Sequence, residues 1–329
     1  MAINRARKRI EYLDVAKFIG LALVCFCHIP LPEGNFHVWV YSFHMPLFFL
    51  ISGVFFSPER FSVGKSAMQL LVPFILFNIL AWLISLVIGS LSAGFIKIPA
   101  VNYNGLLHGS YPIGPSWFLL SLCIIRIFAG LVLKYLNNFW LVVLSLLVLL
   151  VLSLTAGEKS WTILSIGPSV LGLPFYLLGY YLKDIVTDER HFSKWYVPIS
   201  TLVLSILAIY NGLVGIHATQ FGDNLLLYLM FGVLGSMAII SLSTCIRIPQ
   251  PLLSVFMDGA LFFICMHTLI FEYLILCWNK ITDDFTGNTL VEKVVFTLLT
   301  FAVSYPVIIA LLRYAPALLG KYRKIGYSK

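Results

Sequence analysis

Long apolar runs alternate with short polar connections along the whole chain. They lie near 12–31, 36–56, 66–90, 115–134, 138–156, 161–182, 195–214, 223–246, 252–277 and 289–313. An α-helix of about 20 apolar residues spans the ~30 Å hydrocarbon core of a bilayer. The pattern predicts an all-α polytopic membrane protein, a bundle of about ten transmembrane helices forming one domain over 1–329. No long linker, low-complexity tract or obvious internal repeat interrupts it. The lack of a repeat weighs against the many transporters built from duplicated halves.

Composition agrees with this reading: 60% of the 329 residues are hydrophobic, 11% are charged, and the mean hydropathy is +0.95. A soluble domain carries about 25% charged residues. The basic residues then orient the bundle. With the N-terminus inside, sixteen Lys and Arg fall in inner segments, among them Arg9, Arg60, Lys65 and Arg247. Only Lys97, Lys159, Lys280 and Lys293 fall outside, so both termini are predicted to be cytoplasmic. The net charge of +8 needs no nucleic-acid partner, because inner basic residues suit anionic lipid head groups or an anionic cytosolic substrate. The first run follows "MAINRARKRI" as a signal peptide would, but it lacks a small-x-small cleavage site and reads as a retained helix. The six cysteines show no paired framework and no metal-ligand spacing, and read as small core residues.

The ionisable residues inside the runs carry the candidate chemistry, since each costs about 2.5–3.5 kcal/mol at a helix centre. In "VAKFIGLALVCFCHI" Lys17 and His28 are eleven residues apart. At about 100° per residue they share one helix face, roughly 16 Å apart along the axis. A lipid-facing helix has no use for such a stripe, whereas a helix lining a polar path does. Snorkelling is the competing account of Lys17, and interface placement beside Pro30 that of His28. The predicted topology puts His28, His44 and His267 in the outer half of the bundle, on three different helices. His44 and His267 either bond to a neighbouring helix or orient His28. Arg126 lies near mid-membrane, too deep to snorkel, and needs an anionic ligand group, a carboxylate or several carbonyls. Asp14 and Asp258 sit near inner helix ends as rival partners. His37, His108, His191 and His217 fall in loops or at span ends, where surface roles are expected. The outer segments 91–115 and 213–222 are the connections where specificity is expected to reside.

Several segments resemble the acyltransferase-3 family of integral-membrane acyltransferases. "EYLDVAKFIGLALVCFCHIP" is similar to its first helix, with a basic residue, ten positions and a histidine, here Lys17 and His28, and Asp14 in the usual place. "FHMPLFFLISGVFF" resembles its second helix and carries over His44, Pro46, Ser52 and Gly53. "LLVPFILFN", "SWFLLSL" with Trp117 and Phe118, "LPFYLLGYYLK" with Gly179, and "FFICMHTLI" ending in His267 resemble later segments. Lysine rather than arginine in the first helix is similar to the fucose-4-O-acetylase-like branch. Where the family often has two basic residues before the third helix, this chain offers Lys65, with Gln69 a turn later.

The resemblance implies acyl transfer, acetyl first, from cytosolic acyl-CoA to a hydroxyl of a surface glycan or its lipid-linked precursor, in the inner (cytoplasmic) membrane. His28, His44 and His267 are then the catalytic candidates. Lys17, Arg126, Lys65, Asp14 and Trp117 are the candidates along the acyl-CoA path. No metal and no cofactor beyond the acyl-CoA donor is expected. The competing expectations are a proton-coupled exporter or glycan permease, and an assembly subunit of a glycan synthase.

Overall fold

The computed structural model describes residues 9–30, 34–93, 114–135, 139–155, 163–282 and 289–321. Loop 91–115, including His108 and Lys97, lies largely outside these residues, as do Lys159 and the basic residues before Arg9 and after Lys321. The chain forms α1 (Glu11–His28), α2 (Asn35–Val54), α3 (Val63–Ala93), α4 (Trp117–Tyr135), α5 (Phe139–Thr155) and α6 (Ile166–Tyr181). There follow α7 (Tyr196–Ile206), α8 (Leu225–Ser243), α9 (Gln250–Asp258), α10 (Ala260–Thr282) and α11 (Leu290–Tyr314). Among the described residues there is no strand. A helix satisfies its own backbone, which is why apolar runs in lipid fold this way.

Among the described residues, six helices are long and apolar enough to cross a membrane: α2, α3, α4, α8, α10 and α11. The other predicted runs are helical but shorter or more polar. α1 has 18 residues and holds Glu11, Asp14 and Lys17. α5 has 17 residues and α6 has 16. α7 has 11 and continues as the 3-10 turn Leu207–Asn211.

The predicted span 252–277 is two helices, α9 and α10, broken at Gly259. A Cβ there would overlap the side chain of Ile308, so α11 packs directly against the break. Asp258, the last residue of α9, accepts from Arg9 at 2.5 Å and pairs with Lys321 at 2.6 Å. The segments before α1 and after α11 are thereby tied to the break.

Seventy-two per cent of the apolar stretch of α2 is buried inside the protein, against 17% for α3 and 28% for α11. α2 is therefore the central helix, packed on α1, α6 and α8, while α3 and α11 present apolar faces outward. Polar side chains lock the neighbours of α2 in place. The Tyr12 hydroxyl donates to the Val186 carbonyl at 2.6 Å, and Trp39 Nε1 to Ser205 Oγ at 3.0 Å. The Tyr228 hydroxyl donates to the Leu171 carbonyl at 3.1 Å, joining α8 to α6.

Candidate active site

Two cavities open along α1, one at each end. The one at the His28 end, which the predicted topology makes the outer one, has a volume of about 560 Å³ and is bounded by α1, α2, α4, α10 and the segment between α7 and α8. Its polar groups are His28, Tyr41, His44, His217, Thr268 and Glu272, set among Trp117, Phe118, Phe48 and Phe271.

The three histidines of the bundle share one local geometry. Nδ1 of His28 bonds to the Val24 carbonyl at 2.7 Å. Nδ1 of His44 bonds to the Val40 carbonyl at 3.1 Å. Nδ1 of His267 bonds to the Phe263 and Ile264 carbonyls at 3.0 and 2.9 Å. A carbonyl only accepts, so in the neutral ring each Nδ1 holds the proton and each Nε2 keeps a bare lone pair. The cause is helical geometry: the side chain folds back over the preceding turn and meets its i−4 carbonyl. His28 and His44 both line the outer cavity. His267 does not; it is fully buried behind His28, edge to face with ring centroids 5.1 Å apart. Its Nε2 has no hydrogen-bond partner among the described residues.

Two loop or span-end histidines expected at the surface lie on or beside the outer cavity. His217, in the 3-10 turn Ile216–Ala218, lines the outer cavity with His28 and His44. Asn211 folds the chain back there: its side chain donates to the Phe221 carbonyl at 2.9 Å and accepts from the Asn224 N–H at 2.9 Å. Gly222, at φ 77°, lies so close that a Cβ would overlap the Asn211 carbonyl oxygen. The result is a pinned loop that lowers Val214, Ile216 and His217 onto the cavity. His217 is exposed at the cavity mouth, yet desolvation by the surrounding loop lowers its imidazole pKa below the ordinary value. His37 stacks on Tyr41, with ring centroids 3.9 Å apart, and Tyr41 in turn lies 4.7 Å from His44. No single-helix periodicity could have revealed His217, because a loop brings it in.

The inner cavity, of about 490 Å³, is lined by Lys17, Arg60, Lys65 and Arg126, with Ser52, Ser57 and Tyr176. Among the described residues its wall has four cationic side chains and no acidic one. Arg60 was not singled out from the sequence; the turn Pro58–Arg60 turns it into the same space as Lys65. Asp14 does not line this cavity. It is buried and pairs with Lys17 at 2.5 Å, holding the ammonium from below rather than facing a ligand. Trp117 lines the outer cavity and not the inner one. Neither Asp14 nor Asp258 pairs with Arg126, which makes no salt bridge among the described residues.

The cavities face each other across about one helical turn. On α2 Phe48 faces outward and Ile51 inward, and on α4 Phe118 faces outward and Leu122 inward. Spacings of three and four residues are about 4.5 and 6 Å of rise. The Phe48 and Phe118 rings, 6.0 Å between centroids, form the layer between them. Among the described residues, no group of three His, Cys, Asp or Glu is placed to hold a metal ion.

The chain is similar to nodulation protein NolL of Mesorhizobium japonicum, 29% identical over 260 residues. The alignment covers 68% of this chain and 64% of that protein, so this chain spans less than two thirds of the relative's length. No solved structure is significantly similar to it. A family model described as an acyltransferase domain matches residues 10–311, which takes in both cavities and every helix but the end of α11. With its apolar helices and this match, the chain belongs to the acyltransferase-3 family of membrane acyltransferases.

Proposed function

We propose that the protein transfers an acyl group, acetyl first, from cytosolic acyl-CoA to a hydroxyl of a surface glycan or its lipid-linked precursor. One observation carries the reading: a basic cavity holding Lys17 and a histidine cavity holding His28 lie at opposite ends of the same helix. The proposal places ten helices in the cytoplasmic membrane with both termini inside, as the bias of basic residues favours. The phosphates of the donor then sit in the inner cavity among Lys17, Arg60, Lys65 and Arg126. Arg60, just before α3, takes the part of the second basic residue beside Lys65. An extended pantetheine arm is long enough to pass the Phe48–Phe118 layer once those rings turn aside.

In the outer cavity His28 Nε2 removes the proton of the acceptor hydroxyl as its oxygen attacks the thioester carbonyl. The new C–O bond forms, the C–S bond breaks, and the proton on His28 passes to the leaving thiolate to give free CoA. His44 lies in the same cavity and polarises the carbonyl or orients the acceptor. His267, packed edge-on against His28, fixes the plane of its ring. The chemistry of NolL itself does not enter this argument beyond the family it supports.

The decisive experiment uses purified protein in nanodiscs with acetyl-CoA and glycolipids extracted from the native membrane. Free CoA that appears only when the acceptor is present supports the reading. Flux of a saccharide with no CoA release supports a permease instead. Neither signal, with full tolerance of His28 loss, leaves an assembly subunit.

The inner cavity gives a separate expectation. A charge-assisted hydrogen bond contributes about 1.5–3 kcal/mol, so Arg126→Lys, which keeps charge but loses the guanidinium fork, should raise the acyl-CoA KM by about tenfold or more. kcat at saturating donor should change far less. Lys17→Ala alone leaves the buried Asp14 carboxylate unpaired, so the variant to measure is Lys17→Ala with Asp14→Asn, which should behave like Arg126→Lys. Lys17→Arg should retain activity. An unchanged acyl-CoA KM in both test variants places the donor elsewhere.

A further inference from the structure

The two cavities carry opposite charge. Among the described residues the inner wall has four cationic side chains and no carboxylate, whereas the outer wall has one carboxylate, Glu272, and no Lys or Arg. Glu272 lies on α10, a helix long and apolar enough to span the membrane. An ionisable group there is costly unless it has a partner. Among the described residues Glu272 makes no ion pair. α10 stacks Thr268 and Glu272 four residues apart, on one face and both on the cavity wall. Aromatic rings, Trp117 and Phe271 among them, line the same space.

We propose that Glu272, with Thr268 and the Trp117 ring, forms the acceptor subsite and selects a neutral sugar over an acidic one. This rests on the acyl-transfer reading above and names the acceptor class for it. A carboxylate has two oxygens that accept about four hydrogen bonds, which suits adjacent sugar hydroxyls, all of them donors. An aromatic ring offers an apolar platform to the C–H face of a pyranose. The same carboxylate, in a partly desolvated cavity with no cationic side chain on its wall, repels a uronic acid, sialic acid or phosphorylated sugar. It also repels the donor phosphates, which keeps the anionic end of acyl-CoA in the inner cavity while the thioester reaches the outer one.

The test uses the full chain in nanodiscs, acetyl-CoA labelled in the acetyl group, and native-membrane glycolipids separated by anion exchange into neutral and acidic fractions. Wild-type protein is expected to label the neutral fraction. Losing a charged hydrogen-bond acceptor should raise the KM for that fraction about tenfold or more in Glu272→Gln, while the acetyl-CoA KM stays within about twofold. Glu272→Asp should recover part of the loss, and Glu272→Lys should shift label toward the acidic fraction. Label mainly in the acidic fraction with wild-type protein overturns the proposal and leaves acyl transfer standing. So does an acceptor KM that Glu272→Gln leaves unchanged. The wild-type distribution needs no variant to fold. If neither fraction is labelled and no CoA is released, the acyl-transfer reading itself has failed, and the subsite falls with it.

Discussion

Replacing His28 with alanine is expected to lower acyl transfer by about 10²–10⁴-fold, the usual contribution of a positioned general base. The expectation rests on placement. His28 sits on the cavity wall, its Nδ1 proton is committed to the Val24 carbonyl, and its Nε2 lone pair is therefore the basic atom available. In the proposed arrangement the donor binds in the other cavity, so acyl-CoA affinity in His28→Ala should match wild type, as should the melting temperature of the solubilised protein. That split separates lost chemistry from lost folding. His44 shares the cavity and the same tautomer, which makes it the rival base. The comparison that decides is kcat in His28→Ala against His44→Ala. A much deeper loss in His44→Ala would reassign the base, and near-normal turnover in a folded His28→Ala protein would remove the assignment altogether. His267→Ala should fall between these, because His267 reaches the substrate only through the His28 ring. The pH dependence of kcat should move in that variant, since the packing around His28 changes, whereas a purely structural loss would scale the profile without moving it.

The second large effect is on folding. α2 and α6 touch backbone to backbone: a Cβ on Gly53 would overlap the Tyr176 carbonyl oxygen, and one on Gly179 the Leu50 carbonyl oxygen. Small residues allow such an approach between membrane helices, where close packing supplies much of the association energy. Neither clash can be relieved by rotating a side chain, because both overlapped atoms are backbone. Overpacking typically costs 1–3 kcal/mol and occasionally more, and this contact belongs at or beyond about 3 kcal/mol. Against a total stability of roughly 5–15 kcal/mol, each of Gly53→Ala and Gly179→Ala should reduce the yield of monodisperse protein sharply. Tyr176 and Ser52 also line the inner cavity, so any protein that survives should bind acyl-CoA poorly. Gly64→Ala is the control. It lies in the first turn of α3 with open space around it and should be neutral or slightly stabilising. A Gly53→Ala protein that melts with the wild type would show that α2 and α6 are not held this close.

How much was readable beforehand differs from residue to residue. The helical class and the positions of most runs follow from apolar length alone, because a chain in lipid must satisfy its backbone within each segment. The Lys17–His28 stripe was legible for a similar reason: both residues belong to one helix, and 3.6 residues per turn sets which side chains share a face. The two side chains then reach different cavities, a distinction that periodicity along α1 does not contain.

What lies between elements was decided only by the tertiary structure. Arg60 joins Lys65 and Arg126 because a short 3-10 turn redirects the chain after α2. His217 joins the outer cavity because Asn211 and Gly222 fold a connecting loop back across it. Glu272 joins the outer cavity because α10 is set against α2 and α4, which its place in the apolar run does not reveal. Trp117 is placed at the histidine end of the path by the packing of α4 against α2 and α10, and one predicted span proved to be two helices that meet at Gly259, against which Ile308 of another helix packs. Hydrophobic pattern reports which side of a helix avoids water or faces lipid. It does not report which helices become neighbours, and a site assembled from four helices and a loop depends on that choice.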